Sequence, residues 1–415
     1  MVTTTFEGTC RNATARHHGR GREAMDEPAQ SEDAWKETQV PWCVPPERLV
    51  TIRRYLTQEL GDRTESKDLI LLLQSIATGC KYVSSACRQC GLADLVGESR
   101  NTNVQGEKQK KLDVLANEVF KNSIMASGLA SVLVSEEEEE AILVKDGKQG
   151  NFCIVFDPLD GSSNIDCGVS VGSIFGIYHT PKDLEATNAG NASWAGRKMV
   201  AAGYCLYGTT TILVLAPQPR VEVVGFTLDP CLGEFVQTHA KITIPEEGHI
   251  YSINEGNSKF WNPATAEYVN KCKLGSSGMK PKTQRYVGSM VADVHRTLLY
   301  GGIFMYPSDS KNPNGKLRVL YECFPMAFLT ECAGGVATTG HKDMLDHQPL
   351  SLHERSPLYL GSRRDVERVI ELHQSRIPPL LVPANIRSFI TSGSFIVALC
   401  SVVAMAFLAW KGTGG

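Results

Sequence analysis

The feature that most constrains this chain is an apolar run, residues 152–156 (FCIVF), that passes directly into Asp157, Pro158, Leu159, Asp160, Gly161, Ser162 and Ser163. Five apolar residues bounded by turn formers read as a buried strand, so Asp157 falls at its carboxyl end, where open sheets gather ligands. Pro158 has no N–H to give a ladder and is expected to stop regular pairing there. Asp160 returns to the same side after a short turn, and Gly161, Ser162 and Ser163 can aim backbone N–H groups and hydroxyls at an anion. Hard carboxylate oxygens beside phosphate donors suit Mg²⁺, with Mn²⁺ as the alternative, over zinc. An acidic surface turn uses the same residue types, so this segment alone leaves both readings open.

Further carboxylates sit where apolar segments end. Residues 132–134 read as a short strand running into Ser135, Glu136 and Glu137. Five consecutive glutamates, 136–140, are commonly a solvated, self-repelling loop. Here the apolar stretch 141–144 follows at once, so the run is a tight loop inside a folded region. Glu322 follows LRVLY, whose alternation reads as a strand; a charge capping the next helix, FPMAFLTE, is the other reading. Asp113 lies in a helical pattern with Leu112, Leu115, Ala116 and Val119, where an exposed helix carboxylate is the plainer expectation.

Seven segments in order, KKLDVLANEV (110–119), VSEE (134–137), FDPLDGSSNID (156–166), YSINEG (251–256), RYVGSMVADVHRTL (285–298), GGIFMYP (301–307) and KLRVLYEC (316–323), resemble the fructose-1,6-bisphosphatases. That family belongs to a wider group of metal-dependent, lithium-sensitive phosphatases, and the resemblance runs from about residue 50 to about residue 373. It implies an α/β fold, layered α-β-α-β-α, with two subdomains: 47–239 bearing the metal loops and 240–376 binding the sugar phosphate. The implied reaction is Mg²⁺-dependent hydrolysis of fructose 1,6-bisphosphate to fructose 6-phosphate and phosphate. By resemblance the metal ligands are Glu136, Asp157, Asp160, Glu322 and the carbonyl of Leu159, with Glu107 replacing an aspartate of the metal-adjacent loop. Asp113 and Glu137, beside Glu136, handle the proton of the attacking water. Asp160, Gly161, Ser162 and Ser163 face the substrate at the reacting end. Asn254, Tyr286, Tyr306 and Lys316 hold the 6-phosphate and furanose, with Met290 and Arg318 nearby. Arg285 resembles an arginine that reaches a neighbouring subunit's site, which implies a homotetramer. A phosphatase for sedoheptulose 1,7-bisphosphate and a non-enzymatic, membrane-tethered binding protein are the alternatives.

One regulatory region departs from the family. Animal members bind AMP through a Gly-Thr-Gly-Glu-Met-Thr loop, whereas this chain has Glu65, Ser66, Lys67, Asp68, Leu69 and Ile70. A Lys-Tyr pair elsewhere in that site becomes Asn151 and Phe152, and an arginine becomes His179. Losing cationic and hydroxyl donors together removes tight binding by that mode. The cysteine-rich insertion of the light-regulated plastid type is also absent from 180–198. Cys87 and Cys90 form the one CxxC pair, at the end of a helix with the stripe Leu69, Leu72, Leu73, Ile76, Cys80, Val83 and Cys87; packing is its expected role. An odd total of 13 scattered cysteines suits reduced thiols in the cytosol.

A net charge of −3 without a basic surface signal excludes nucleic acid as a partner. Residues 1–46 are polar and read as a disordered arm. Residues 377–387 hold three prolines and read as a linker. Residues 388–410 carry no charge between Arg387 and Lys411. As a helix they would span about 34 Å, enough for a bilayer. The expectation is a cytoplasmic catalytic body tail-anchored to a membrane; a further helix packed on the enzyme is the alternative.

Overall fold

The computed structural model describes residues 49–61, 64–93, 95–102, 108–144, 150–181, 194–218 and 222–375. The arm 1–46, the linker 377–387, the candidate tail 388–410 and Glu107 lie outside the described residues.

Helix α1 (Ile52–Leu60) starts where the Thr51 hydroxyl accepts the Arg54 N–H at 3.3 Å, and it stops at Gly61, whose φ of 74° suits a residue without a Cβ. Helix α2 (Thr64–Gln89) buries Leu69, Leu72, Leu73, Ile76, Cys80 and Val83 along one face. Its segment Ser66–Gln89 is long and apolar enough to cross a membrane, but 61% of its most apolar 18 residues are buried inside the protein, as befits a core helix. A ribbon of β1 (Glu98–Thr102) and β2 (Lys108–Lys110) leads into α3 (Lys111–Ala126).

The central sheet comprises β3 (Ala130–Ser135), β4 (Ile142–Leu143), β5 (Phe152–Asp160), β6 (Val171–His179), β7 (Met199–Tyr207), β8 (Thr211–Pro217), β9 (Val223–Asp229) and β10 (Glu234–Ile242). Its order is β10-β9-β8-β7-β6-β5-β3-β4, antiparallel except where β3 runs parallel to β5. After β11 (Ile250–Ser252) come α4 (Pro263–Leu274), β12 (Thr283–Gln284), α5 (Met290–Tyr300), β13 (Ile303–Tyr306), β14 (Leu317–Arg318), α6 (Phe324–Cys332), β15 (Val336–Thr338), β16 (Arg355–Ser356), β17 (Leu358–Gly361) and α7 (Arg363–Ser375). A second sheet has the order β12-β11-β13-β17-β15, while β14 and β16 pair separately.

Alternation along the strands sorts their side chains into three cores. Leu133, Ile154, Phe156 and Phe175 face α1, α2 and α3. Val132, Val134, Val155 and Tyr204 point the other way, onto Val291, Val294 and Leu298 of α5, Phe324 and Leu329 of α6, and Phe304, Leu358 and Leu360 of the second sheet. The far face of that sheet, with Tyr251, Met305 and Tyr359, packs on Tyr268 and Val269 of α4 and on Val366 and Val369 of α7. The layers therefore run α-β-α-β-α, as the family resemblance implies. A buried pair fastens the outer layer: Lys282 Nζ lies 2.8 Å from Asp365 Oδ1, and Asp365 also accepts the Gly248 N–H.

Two local expectations fail. Strand β5 does not end at Phe156 but continues to Asp160, all nine residues buried. Pro158 is tolerated because β3 pairs only as far as Phe156, and toward β6 the register shifts between Asp157 and Asp160. The Pro158 carbonyl is met instead by the Ser173 hydroxyl at 2.7 Å. Before Glu322 there is no alternating strand: β14 is two residues long, and residues 319–323 form a π turn, every one buried, that runs into α6. Such turns recur at functional sites.

Candidate active site

Strand, loop and turn bring five acids, joined by Asp113 of α3 and Asp293 of α5, to one cleft of about 370 Å³ at the seam between the two sheets. Strand β5 supplies Asp157 and Asp160, the loop after β3 supplies Glu136 and Glu137, and the π turn supplies Glu322. One oxygen each from Asp157, Asp160 and Glu322 lies within 4.8 Å of the others, and all three residues are buried. Glu136 is turned instead to Arg318, its Oε1 2.8 Å from the guanidinium, which reaches Glu322 at 3.8 Å.

The acids differ in what compensates them. Asp160 Oδ2 accepts the Ser289 hydroxyl at 2.6 Å and the Val291 N–H at 3.0 Å, at the start of α5. Burial pushes Asp160 up to about 6, and these donors restrain it. Glu322 accepts the Arg318 N–H at 2.6 Å, yet burial takes it to about 8 against the pull of the Arg318 charge. Asp157 is also raised, by burial first and then by Glu136, Asp160 and Glu322. Oxygen donors whose crowding resists ionisation fit a hard divalent cation, which would relieve burial and repulsion together.

Asp113 is the third residue of α3 and caps it, Oδ2 accepting the Lys110 N–H at 2.8 Å. It is buried rather than exposed, and burial, with Glu137 and Glu136 adding to it, takes the carboxyl to about 8. Its Oδ1 has no hydrogen-bond partner among the described residues. The glutamate run divides. Glu136 is buried and Glu137 half-buried at the cleft, Glu138 is tied to Asn117 and Lys121 of α3, and Glu139 and Glu140 are exposed.

Leu159, Gly161, Ser162, Ser163, Asn254, Tyr286, Met290, Tyr306, Lys316 and Arg318 also line the cleft. Gly161 is required there: φ is 78°, and a Cβ would stand 2.7 Å from that of Ser289. Arg285 is exposed and does not line the cleft of its own chain; its NH1 donates to the Gln284 carbonyl at 2.9 Å. Sequence reasoning passed over Gln109, which donates to Glu137 at 2.5 Å, and Asp293, whose carboxylate accepts the N–H groups of Val287 and Gly288 beside Tyr286. It also passed over Ser289, although Ser before an apolar helical run is a legible cap. The altered nucleotide-loop positions do meet: Asn151 donates to Asp68 at 3.3 Å, and Phe152 stacks on His179 at 5.3 Å.

Residues 50–240 match the family model "Fructose-1-6-bisphosphatase, N-terminal domain", and residues 244–374 match "Fructose-1-6-bisphosphatase, C-terminal domain". A spinach protein named "Fructose-1,6-bisphosphatase, cytosolic" is 56% identical over 329 residues, 79% of this chain and 96% of its own. An Arabidopsis thaliana protein of the same name is 57% identical over 326 residues, 78% of this chain and 95% of its own. The holo form of Leishmania major fructose-1,6-bisphosphatase superposes with a TM-score of 0.75 at 42% identity, over 79% of this chain and 99% of that one.

Proposed function

Because the chain belongs to the fructose-1,6-bisphosphatase family, we propose that its cleft hydrolyses fructose 1,6-bisphosphate at the 1-phosphate, giving fructose 6-phosphate and inorganic phosphate. The chain is a phosphoric monoester hydrolase. The observation that carries the residue assignment is the convergence of Asp157, Asp160 and Glu322 on one point. These three, with Glu136 and the Leu159 carbonyl, would hold Mg²⁺, which when bound supplies Lewis-acid stabilisation of phosphate charge and an acidified water. Asp113, raised to about 8 and with one oxygen unpartnered, suits the transfer of a proton near neutral pH. Glu137, held by Gln109, stands beside it as a relay. Gly161, Ser162 and Ser163 bind the reacting phosphate, while Arg318 faces both it and the acids. Lys316, Asn254, Tyr286 and Tyr306, with Met290, receive the 6-phosphate and the ring. Arg285, exposed outside its own cleft, serves a partner subunit's site in a homotetramer.

Control by AMP is lost in this reading, since an amide, Asn151, engaged by the Asp68 carboxylate, stands where the family sets a lysine. The plant relatives are named cytosolic, which supports a cytosolic catalytic body. Residues 388–410 anchor that body to a membrane on the strength of their composition alone. Phosphate release from fructose 1,6-bisphosphate and from sedoheptulose 1,7-bisphosphate, with Mg²⁺ and with or without AMP, tests substrate and control together. Inhibition at low micromolar AMP would refute the regulatory part. Full-length protein that fails to float with liposomes would refute the anchor.

A further inference from the structure

Outside every segment that marks the family, His353 makes a contact that bears on the site. We infer that His353 is a positioning residue that braces the acidic loop 136–140 against the π turn carrying Glu322. The His353 ring meets Tyr321 edge-on, with centroids 5.8 Å apart and planes at 64°. Its Nδ1 lies 2.8 Å from the Tyr321 hydroxyl, and its Nε2 lies 3.1 Å from the Glu139 carbonyl, 214 residues away in sequence.

The direction of both bonds follows from the groups involved. A carbonyl only accepts, so Nε2 carries the hydrogen; in the neutral ring Nδ1 is then an acceptor, and the phenol donates to it. Tyr321 is fully buried and adjoins Glu322 in the chain, so the relay Tyr321 to His353 to Glu139 links the two segments that deliver Glu322 and Glu136. The segment bearing His353 is itself fixed. Arg355 and Ser356 pair with Arg318 and Leu317, the Glu354 carbonyl accepts the Val319 N–H at 2.8 Å, and the Glu354 carboxylate accepts from His347 at 2.5 Å. On its other side the loop is held by Glu138, which accepts from Asn117 at 2.9 Å and Lys121 at 2.7 Å. Helix α3 thus grips one edge of the loop, and His353 grips the other. A brace of this kind sets the spacing between Glu136 and Glu322, which a compact octahedral cation punishes when it drifts.

The link to metal affinity rests on the carboxylate reading above; the brace itself does not. Two measurements separate them. Hydrogen exchange at the backbone amides of 136–140 in metal-free protein is expected to quicken at least about tenfold in His353→Ala and less in Tyr321→Phe, which keeps the ring and its donor to Glu139. Mn²⁺ binding, followed by calorimetry and by its electron paramagnetic resonance signal, is expected to weaken about tenfold in His353→Ala. KM for the sugar bisphosphate should stay within about twofold, excess Mg²⁺ should restore turnover, and His353→Gln, with an acceptor and a donor of its own, should recover part of the loss. Unchanged exchange in both His353→Ala and Tyr321→Phe overturns the brace. Quickened exchange with unchanged Mn²⁺ affinity keeps the brace and overturns its link to the metal, and a wild-type protein that binds no Mn²⁺ refutes the carboxylate reading instead.

Discussion

The crowded acids should make the metal-free protein weaken as pH rises, and the size of the effect follows from their environments. Unfolded, an aspartate or glutamate ionises near pH 4. Folded, Asp113 and Glu322 hold their protons to about 8 and Asp160 to about 6. Between those values the native state binds protons that the unfolded state has released, so stability is complete at low pH and lost as pH climbs through the folded values. The buried histidines His295 and His373, lowered to about 4 by burial, act in the opposite sense below 6.5, so the clean window is pH 6.5 to 8.5. Each group still protonated across that window costs about 1.4 kcal/mol per pH unit, roughly 2 kcal/mol for Asp113 and again for Glu322 by pH 8. Their fields overlap, so the joint loss should be about 2–4 kcal/mol, or a Tm lower by about 3–6 °C for a body of this size. Scanning calorimetry in a chelator should show that decline, Mg²⁺ should raise Tm more at pH 8.5 than at 6.5, and Glu322→Gln should flatten the slope by about half. A metal-free Tm that is level or rising across the window, or an Mg²⁺ increment equal at both ends, would refute the argument.

Asp157→Asn should cost phosphate release about a thousandfold or more by removing a central oxygen donor. The same change should raise the metal-free Tm at pH 8 by removing a carboxyl whose ionisation is opposed by burial and by Glu136, Asp160 and Glu322, a pairing of outcomes that calorimetry and a rate assay can check. Ser289→Ala takes from Asp160 its hydroxyl donor and from α5 its cap. It should cost about 1 kcal/mol of stability, read from denaturant unfolding. An Mg²⁺ titration of the rate should show affinity weakened about tenfold. Lys282→Met leaves the buried Asp365 carboxylate with only Arg368, at 3.3 Å, and the Gly248 N–H, and should destabilise by about 1.5–3 kcal/mol, with Lys282→Met/Asp365→Leu recovering part of it in urea unfolding.

What the chain disclosed in advance depended on the range of the interaction. Residues 152–156 announced a buried strand because apolar side chains must leave water, and both faces of β5 are indeed covered. Where β5 stops was not legible: Pro158 is unfavourable in a ladder, yet the β3 side makes no pairing there and Ser173 satisfies its carbonyl, both facts of tertiary placement. The stretch 317–321 misled for a related reason. Alternation implies one wet face, but residues 319–323 are buried on every side, and with both faces dry the period carries no signal. Gln109, Asp293 and His353 act through hydrogen bonds closed by the fold, which single-residue chemistry cannot announce.

The same burial that raises Asp113, Asp157, Asp160 and Glu322 also sorts their roles. Asp160 is held down by the Ser289 hydroxyl and the first N–H groups of α5, so it ionises more readily than Asp113 or Glu322 and is well prepared to meet a cation. Asp157 and Glu322 converge with it on one point, and in the proposed reading a bound cation lowers all three at once. Asp113 stands outside that convergence, in the first turn of α3, with Glu137 and Glu136 as its acidic neighbours. It therefore keeps more of its raised proton affinity when the cation binds. A carboxyl that ionises near the working pH is the one able to take a proton and return it. In the proposed reading the division between ligands and proton carrier follows from distance to the point where Asp157, Asp160 and Glu322 converge and needs no difference in residue type.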